Sequence, residues 1–341
     1  MLMVVLGAGA SYDSIPALWR KPVYESRPPL ANELFEPREM FSNTMQQVGR
    51  SILPIVPLLQ NLPVGRTVEQ VLEELQAEAA DYPERHRQLA AVRYYLHVML
   101  WTCVHGWNHL AKGVTNYKAL LDQIERWRKP DDQVCLVTFN YDRMLEEALP
   151  GVGVEISDLP DYISNDKYKL LKLHGSVDWE RSVDTPIPGI EKLNSWQTVH
   201  EVINRFPDLK ISERFQIVKA PYPMSKLHNV ALFPAIAIPV QSKLHFECPT
   251  EHLAALQEFI PKTTKLLMIG WRATENHFLN LLQEGIQHQL RVMTVSGSAD
   301  GAKESVENLR KARLYIDVPR ESSNGFTGFI VNREGDGFLS S

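Results

Sequence analysis

Apolar residues fall along this chain in two different patterns. In the first, short, mostly apolar runs end directly in turn residues. They occupy 2–6 before Gly7, 133–138 before Phe139 and Asn140, 170–173 before His174, 265–269 before Gly270 and 290–295 before Ser296. Runs of this length read as strands buried on both faces. Segments 141–149, 250–260 and 275–289 follow strand runs at helical spacing. Strands alternating with helices predict a parallel sheet covered on both sides. Two further short apolar runs, 235–239 and 326–331, also read as strands.

In the second pattern the apolar period is helical throughout. It covers about 40–130 and no strand signal interrupts it. Thr67 and Gln70 form a capping box, and Val68, Val71, Leu72 and Leu75 then recur at helical spacing. A long helix is expected over 84–110 and another over 117–127, stopped by Pro130. A glycine-rich turn occupies 7–11, and segment 12–37 is proline-rich and reads as loop with a short helix near 30–35. Segment 178–229, which holds Trp179 and Trp196, has little period. The expected fold class is α/β, a Rossmann-like doubly wound parallel sheet with a large helical insertion. One domain would span 1–341, with the insertion at 40–130.

Composition narrows the function classes. At 341 residues and 44% hydrophobic, the chain can bury a large core. A net charge of −5 gives no global attraction to nucleic acid or to anionic membrane. Cys103, Cys135 and Cys248 are far apart and form no CxxC pair, so no four-cysteine zinc site can be built. His105 and His109 lie four apart on an expected helix, but no glutamate joins them in an HExxH pattern. The start of the chain lacks a basic segment and a cleavage signal, and no apolar stretch approaches the ~20 residues of a membrane span. These features predict a soluble cytoplasmic protein without metal, membrane contact or direct nucleic-acid binding.

Three motifs carry chemistry. Gly7-Ala8-Gly9-Ala10-Ser11 follows the first strand, and glycines at alternate positions there suit a tight turn against a pyrophosphate. Tyr12 stands where the third glycine of a dehydrogenase fingerprint would be, which argues against ordinary hydride transfer. Thr138-Phe139-Asn140-Tyr141-Asp142 sits at a strand end, where open α/β sheets bind ligands; alternatively Asn140 and Asp142 only cap the next helix. Lys172-Leu173-His174-Gly175-Ser176 sits at another strand end. A lone histidine is commonly structural, and the other ten are read that way.

Taken together, these three segments resemble the GAGxS, TxNxD and HG segments of the sirtuin-like family of NAD-consuming proteins. Ser14-Ile15-Pro16 is similar to the family's SGIP segment. Arg27-Pro28-Pro29-Leu30-Ala31-Asn32-Glu33-Leu34 is similar to a segment of bacterial sirtuin-like defence proteins. Gly270-Trp271-Arg272 stands where the family has a ribose-side segment. The resemblance covers roughly 1–40, 133–180 and 232–297, and leaves the helical block unexplained. Two departures bear on activity. The zinc module of the deacylases is missing, and Ala17-Leu18-Trp19 replace the Asp-Phe-Arg that follows the proline.

The resemblance therefore implies the branch that hydrolyses NAD+ in bacterial anti-phage defence, where NAD+ depletion stops the infected cell. It implies a catalytic set of Asn140, His174 and Asp142. Asn140 would hold a ribose hydroxyl or the attacking water, and His174 would take a proton, as an imidazole of pKa ~6.5 can near neutrality. Asp142 would anchor the nicotinamide amide or orient its neighbours. Gly7, Ala8, Gly9, Ala10, Ser11, Thr138, Gly175, Gly270 and Ser296 would bind the dinucleotide. Glu275 and Asn276 either cap a helix through Thr274, the favoured reading, or touch the adenosine ribose. A silent NAD or ADP-ribose sensor, an ADP-ribosyl transferase or a deacylase are the alternatives. Because unchecked NAD+ destruction is toxic, a homo-oligomer or a partner protein that triggers activity is expected.

Overall fold

The computed structural model describes residues 1–18, 25–218, 225–240 and 246–341. Trp19 and part of segment 178–229 lie outside these. The chain divides into two compact units. One comprises Met1–Val23, Gly106–His174 and Lys243–Ser341, and the other Tyr24–His105 and Gly175–Ser242. Among the described residues the strands are, in chain order, β1 (Leu2–Leu6), β2 (Val134–Thr138), β3 (Tyr168–Lys172), β4 (Gly175–Val183), β5 (Ile211–Ile217), β6 (Lys226–Leu227), β7 (Val230–Ile236), β8 (Lys265–Ile269), β9 (Arg291–Val295) and β10 (Arg320–Ser322).

The first unit holds a six-stranded sheet in the order β10-β9-β8-β1-β2-β3, parallel throughout. β1 is central and every one of its residues is buried, which is why its sequence shows no polar alternation. From β1 the chain winds outward through β2 and β3; from β8 it winds the other way through β9 and β10. This is a Rossmann-like doubly wound sheet with its topological switch point between β1 and β8. Met3, Val5, Cys135, Val137, Leu171, Leu266, Met268 and Val292 share one core with Phe259, Phe278 and Leu282 from the helices.

Segment 326–331, expected as a strand, is instead the helix Gly325–Val331. A short apolar run does not by itself separate a strand from a fully buried helix. Gly325 through Ile330 are all buried, and Thr327 bonds both carboxylate oxygens of Asp13 through its amide (2.9 Å) and hydroxyl (2.7 Å).

The second unit holds a four-stranded antiparallel sheet, β5-β4-β7-β6. The expected strand 235–239 overlaps only the last two residues of β7, which spans Val230–Ile236 and pairs antiparallel with β4. The stretch read as having little period contains most of β4, β5 and the helix Ser195–Arg205. The helical block is present as Glu39–Val48, Val56–Gln60, Val68–Glu78, Pro83–Ala111 and Asn116–Trp127, with no strand among them. Thr67 and Gln70 make the reciprocal capping box, at 3.3 and 3.0 Å. Asn32 adds a cap bond to the Val68 amide (3.1 Å), so part of the 27–34 segment anchors this helix.

Candidate functional site

Parallel register brings the strand ends together. Leu6 pairs with Thr138 and with Ile269, Thr138 with Lys172, and Ile269 with Val295. Gly7, Asn140, His174, Gly270 and Ser296 therefore all follow the carboxyl edge of one sheet, the edge where open α/β sheets bind ligands at a switch point. Asn140 and His174 occupy equivalent positions, each two residues beyond a paired strand end.

The three glycines at the switch point are explained first by their own backbones. A Cβ on Gly7 would lie 2.4 Å from the Gly270 carbonyl oxygen, and one on Gly270 only 2.3 Å from the Ala10 amide nitrogen. Gly270 also has φ +61, where side chains are disfavoured. The Gly7 and Gly9 amides donate to the carbonyls of Ile269 (3.0 Å) and Gly270 (3.2 Å), and the Ala10 amide to that of Gly7 (2.9 Å). Thus the β1 turn is laced onto the β8 turn, and three of its amides are already used.

Next to it lies a buried polar network. The Asn140 side-chain amide donates to the Gly7 carbonyl (2.8 Å) and to Ser11 Oγ (2.9 Å), with Tyr117 Oη 3.4 Å away. The Gly7 carbonyl can only accept, so it fixes which way the amide points. Both amide hydrogens thus face inward, and Oδ1 is the atom Asn140 can offer to a hydroxyl or a water. Ser11 Oγ donates to Asp142 Oδ2, and Asp142 Oδ1 accepts from the Met144 amide (3.0 Å). Asp142 thus orients its neighbours and starts the following helix. Thr138 Oγ1 donates to the Leu6 carbonyl (3.2 Å) and accepts from the Asn140 amide (3.0 Å), pinning the loop to β1.

Sequence reading missed three groups that hold this loop. Lys172 is fully buried; its Nζ donates to the carbonyls of Asp142 and Tyr141 and pairs with Glu146 Oε1 (2.9 Å), which also accepts from Tyr162 (2.9 Å). A lysine inside the apolar run Leu170-Leu171-Lys172-Leu173 was the available signal. Tyr117 hydrogen-bonds Ser11 Oγ at 2.9 Å. Burial, then the Asp142 charge, pushes its phenol well above the ordinary range. The Trp107 indole bonds Ser14 Oγ (2.9 Å), which donates to the Ser11 carbonyl (2.7 Å).

His174 is buried, its ring centroid 4.8 Å from that of Phe139 and 6.3 Å from that of Tyr141. Phe139 stacks on Trp271 (5.5 Å) and meets Phe278 edge-on, so an aromatic group links the β2 and β8 ends. The Trp271 indole donates to Glu275. That changes the expectation for Glu275: the helix Asn276–Gly285 is entered at Glu275 without a side-chain cap, and the cap expected through Thr274 is not formed. The buried indole N–H takes the carboxylate, and Ala273 at φ +55 turns the chain.

Ser296 exchanges backbone bonds with Ser322 and Gly325 (2.9 Å each), and Ser298 caps the helix Ala299–Lys311. Gly175 belongs to the second unit. At φ +84 its missing Cβ would sit 1.9 Å from the Ala235 carbonyl oxygen, so backbone packing requires this glycine. Among the described residues no group of three or more His, Cys, Asp or Glu is placed to hold a metal ion, and no helix is long and apolar enough to cross a membrane.

Residues 134–187 match the family model of the SIR2-like domain. No curated protein sequence matches the chain. Among solved structures it is similar to a Sir2 homologue in complex with NAD, at 14% identity over 92% of this chain and 89% of the other, TM-score 0.34. A second likeness is to a Sir2 homologue mutant with 2'-O-acetyl ADP ribose, at 14% identity over 100% and 93%, TM-score 0.41. A third is to Sir2 with a p53 peptide and NAD+, at 11% identity over 100% and 94%, TM-score 0.41. The stretch that supplies Asn140, Asp142 and His174 lies within the residues that match the SIR2-like domain model.

Proposed function

We propose that this protein is an NAD+ glycohydrolase that cleaves NAD+ to nicotinamide and ADP-ribose. The observation that carries the reading is the equivalent placement of Asn140 and His174 beyond two register-paired strands, at the switch-point edge of the sheet. In this reading NAD+ lies along that edge. Gly7, Gly9 and Gly270 shape its floor, and Ala8, Ser11, Thr138 and Ser296 border it.

Hydrolysis breaks the bond between ribose C1′ and the nicotinamide nitrogen. The bonding electron pair leaves with nicotinamide, which becomes neutral, and the sugar passes through an oxocarbenium-like cation. A water oxygen bonds to C1′ and its proton goes to His174. Asn140 Oδ1 accepts from that water or from a ribose hydroxyl, because both of its amide hydrogens are held inside the protein. Asp142 acts through Ser11 by holding the network that fixes Asn140. No metal takes part in this scheme.

The sirtuin-like motifs without a zinc module support an effector role in bacterial anti-phage defence by NAD+ depletion, acting in the cytoplasm. Self-association or a partner protein would hold such an activity in check. The test is to incubate the purified protein with NAD+ and follow nicotinamide and ADP-ribose. Turnover is expected to fall about 10²–10⁴-fold in His174→Ala, as for loss of a positioned base, and strongly in Asn140→Ala. A silent wild type that binds NAD+ in calorimetry keeps the site and moves the search to its activator. Absence of both turnover and binding overturns the reading.

A further inference from the structure

We infer that Tyr117, supplied by a helix of the block that the motif resemblance does not reach, is a positioning residue for Asn140, and that its hydroxyl acts as a donor at the end of a one-way hydrogen-bond chain. The inference rests on the NAD+ reading above and deepens it.

The direction of the chain follows from counting hydrogens. Ser11 has one hydroxyl hydrogen, and it goes to Asp142, whose carboxylate can only accept. Ser11 Oγ must then accept from its two other neighbours, the Asn140 amide at 2.9 Å and the Tyr117 hydroxyl at 2.9 Å. Tyr117 therefore donates to Ser11, and Ser11 donates to Asp142. With its hydrogen so directed, the Tyr117 oxygen turns a lone pair toward the Asn140 amide at 3.4 Å. A phenol driven far above its ordinary pKa by burial stays a donor at every pH the folded protein meets.

Tyr117 is placed to hold this arrangement rigidly. It is 1% exposed, begins the helix Asn116–Trp127, and packs edge-on against Phe326 (5.5 Å). Its neighbour Asn116 ties the same turn to the Asp13 carbonyl (2.6 Å) and to Thr327 (2.8 Å). The helix thus fixes both the turn after β1 and the amide of Asn140, although Tyr117 has no contact that would make it a reacting group.

The test is a double-mutant cycle between Tyr117→Phe and Asn140→Ala. Tyr117→Phe keeps the ring contact and removes one oxygen. Its kcat for NAD+ hydrolysis is expected to fall about 10-fold, less than the 10²-fold a gross misplacement can produce. KM should stay within about twofold, as for an interaction made in the transition state. In the Asn140→Ala background the same substitution should have no further effect. Phe326→Leu, which loosens the ring's packing and keeps the hydroxyl, should lose less rate than Tyr117→Phe. Equal loss in both backgrounds, no loss in Tyr117→Phe, or an equal loss in Phe326→Leu overturns the assignment to the hydroxyl while leaving NAD+ hydrolysis in place. Should the wild type bind NAD+ without turning it over, the side-chain amide resonances of Asn140 are read by NMR instead: Tyr117→Phe should shift them more than Phe326→Leu, and unmoved resonances overturn the assignment. A protein that neither binds nor cleaves NAD+ removes the functional reading, and this inference with it.

Discussion

Two regions of this molecule bury ionisable groups, and they manage the charge in opposite ways. At the carboxyl edge of the six-stranded sheet, Lys172 and Glu146 form a buried ion pair, and backbone carbonyls take the remaining lysine hydrogens. In the second unit, Ser176, Asp178 and Glu180 alternate on one face of β4, all buried, with Val177 and Trp179 on the other. There His97 donates to the Val177 carbonyl (2.6 Å) and lies 3.4 Å from Glu180. Burial lowers the imidazole to about 4, and burial, then Asp178, pushes Glu180 well above the carboxylate range. The first region keeps its charges and pairs them; at the His97–Glu180 contact the second gives charge up. Buried polar residues alone therefore do not mark a site. What distinguishes the sheet edge is that its groups are oriented by directed bonds beside a switch point.

The largest expected effect tests that contrast in stability. Lys172→Met leaves Glu146 buried beside only Tyr162 and removes the donor from two loop carbonyls. It should cost about 3–5 kcal/mol in urea unfolding, the usual loss when one partner of a buried pair is removed. Glu180→Gln keeps the side chain's shape where burial already disfavours the charged form, and should cost less than about 1 kcal/mol near pH 7. Similar losses in the two variants would mean that Glu180 is charged in the folded protein, and the contrast would collapse. Adding Glu146→Leu to Lys172→Met should recover most of the stability, because an apolar pair of similar volume replaces a buried ionic one at little net cost.

A second effect compares the two regions through their glycines. Gly270→Ala forces a methyl against the Gly9 and Ala10 backbone at φ +61, and Gly175→Ala forces one against Ala235 at φ +84. Each should destabilise by about 2–3 kcal/mol, since overpacking and backbone strain both act. Gly270→Ala is expected to shift Asn140 through the Gly7 carbonyl, and Gly175→Ala to shift the adjacent His174. NAD+ turnover measured at a temperature where both variants are folded should therefore fall in both, and a variant that keeps the wild-type rate would separate the residue it moves from the proposed chemistry.

How far the sequence could lead is seen in the same elements. β1 spans 2–6 and β8 spans 265–269 as their apolar runs predict, and β2, β3 and β9 differ from expectation by one or two residues at their ends. Buried parallel strands leave a strong local signature. The Gly7, Asn140, His174 and Gly270 positions follow from those strand ends. What was illegible is non-local: Ser11 and Asp142 are 131 residues apart, and Ser11 and Tyr117 are 106 apart. No period or spacing reports such a bond. β4 escaped for another reason. Both of its faces are buried, and one of them carries Ser176, Asp178 and Glu180, so it has neither the apolar run of the parallel strands nor a solvent face to mark it. Helix Gly325–Val331 was misread because its apolar run is too short for periodicity to decide.

The smallest effect sharpens the comparison through pH. His97 has a folded pKa below its unfolded value of ~6.5, so its contribution is fully present above pH 6.5 and is lost as pH falls toward 4. Glu180 has a folded pKa above its unfolded value. Lowering the pH toward ~4.5 therefore favours the folded state, which alone holds that proton. Between about pH 4.5 and 6.5 the two slopes oppose one another: the unfolded chain binds a proton at His97 and the folded chain keeps one at Glu180. The pair together should add less pH dependence there than either alone, and alone the two contributions have opposite signs. Relative to wild type, Glu180→Gln should thus lose stability as pH drops from 6.5 toward 4.5, and His97→Gln should gain it. Urea midpoints of the three proteins across that range measure both signs. Parallel curves would show that the folded pair holds its proton no differently from the unfolded chain, and the buried cluster of β4 would then be an ion pair like that of Lys172 and Glu146.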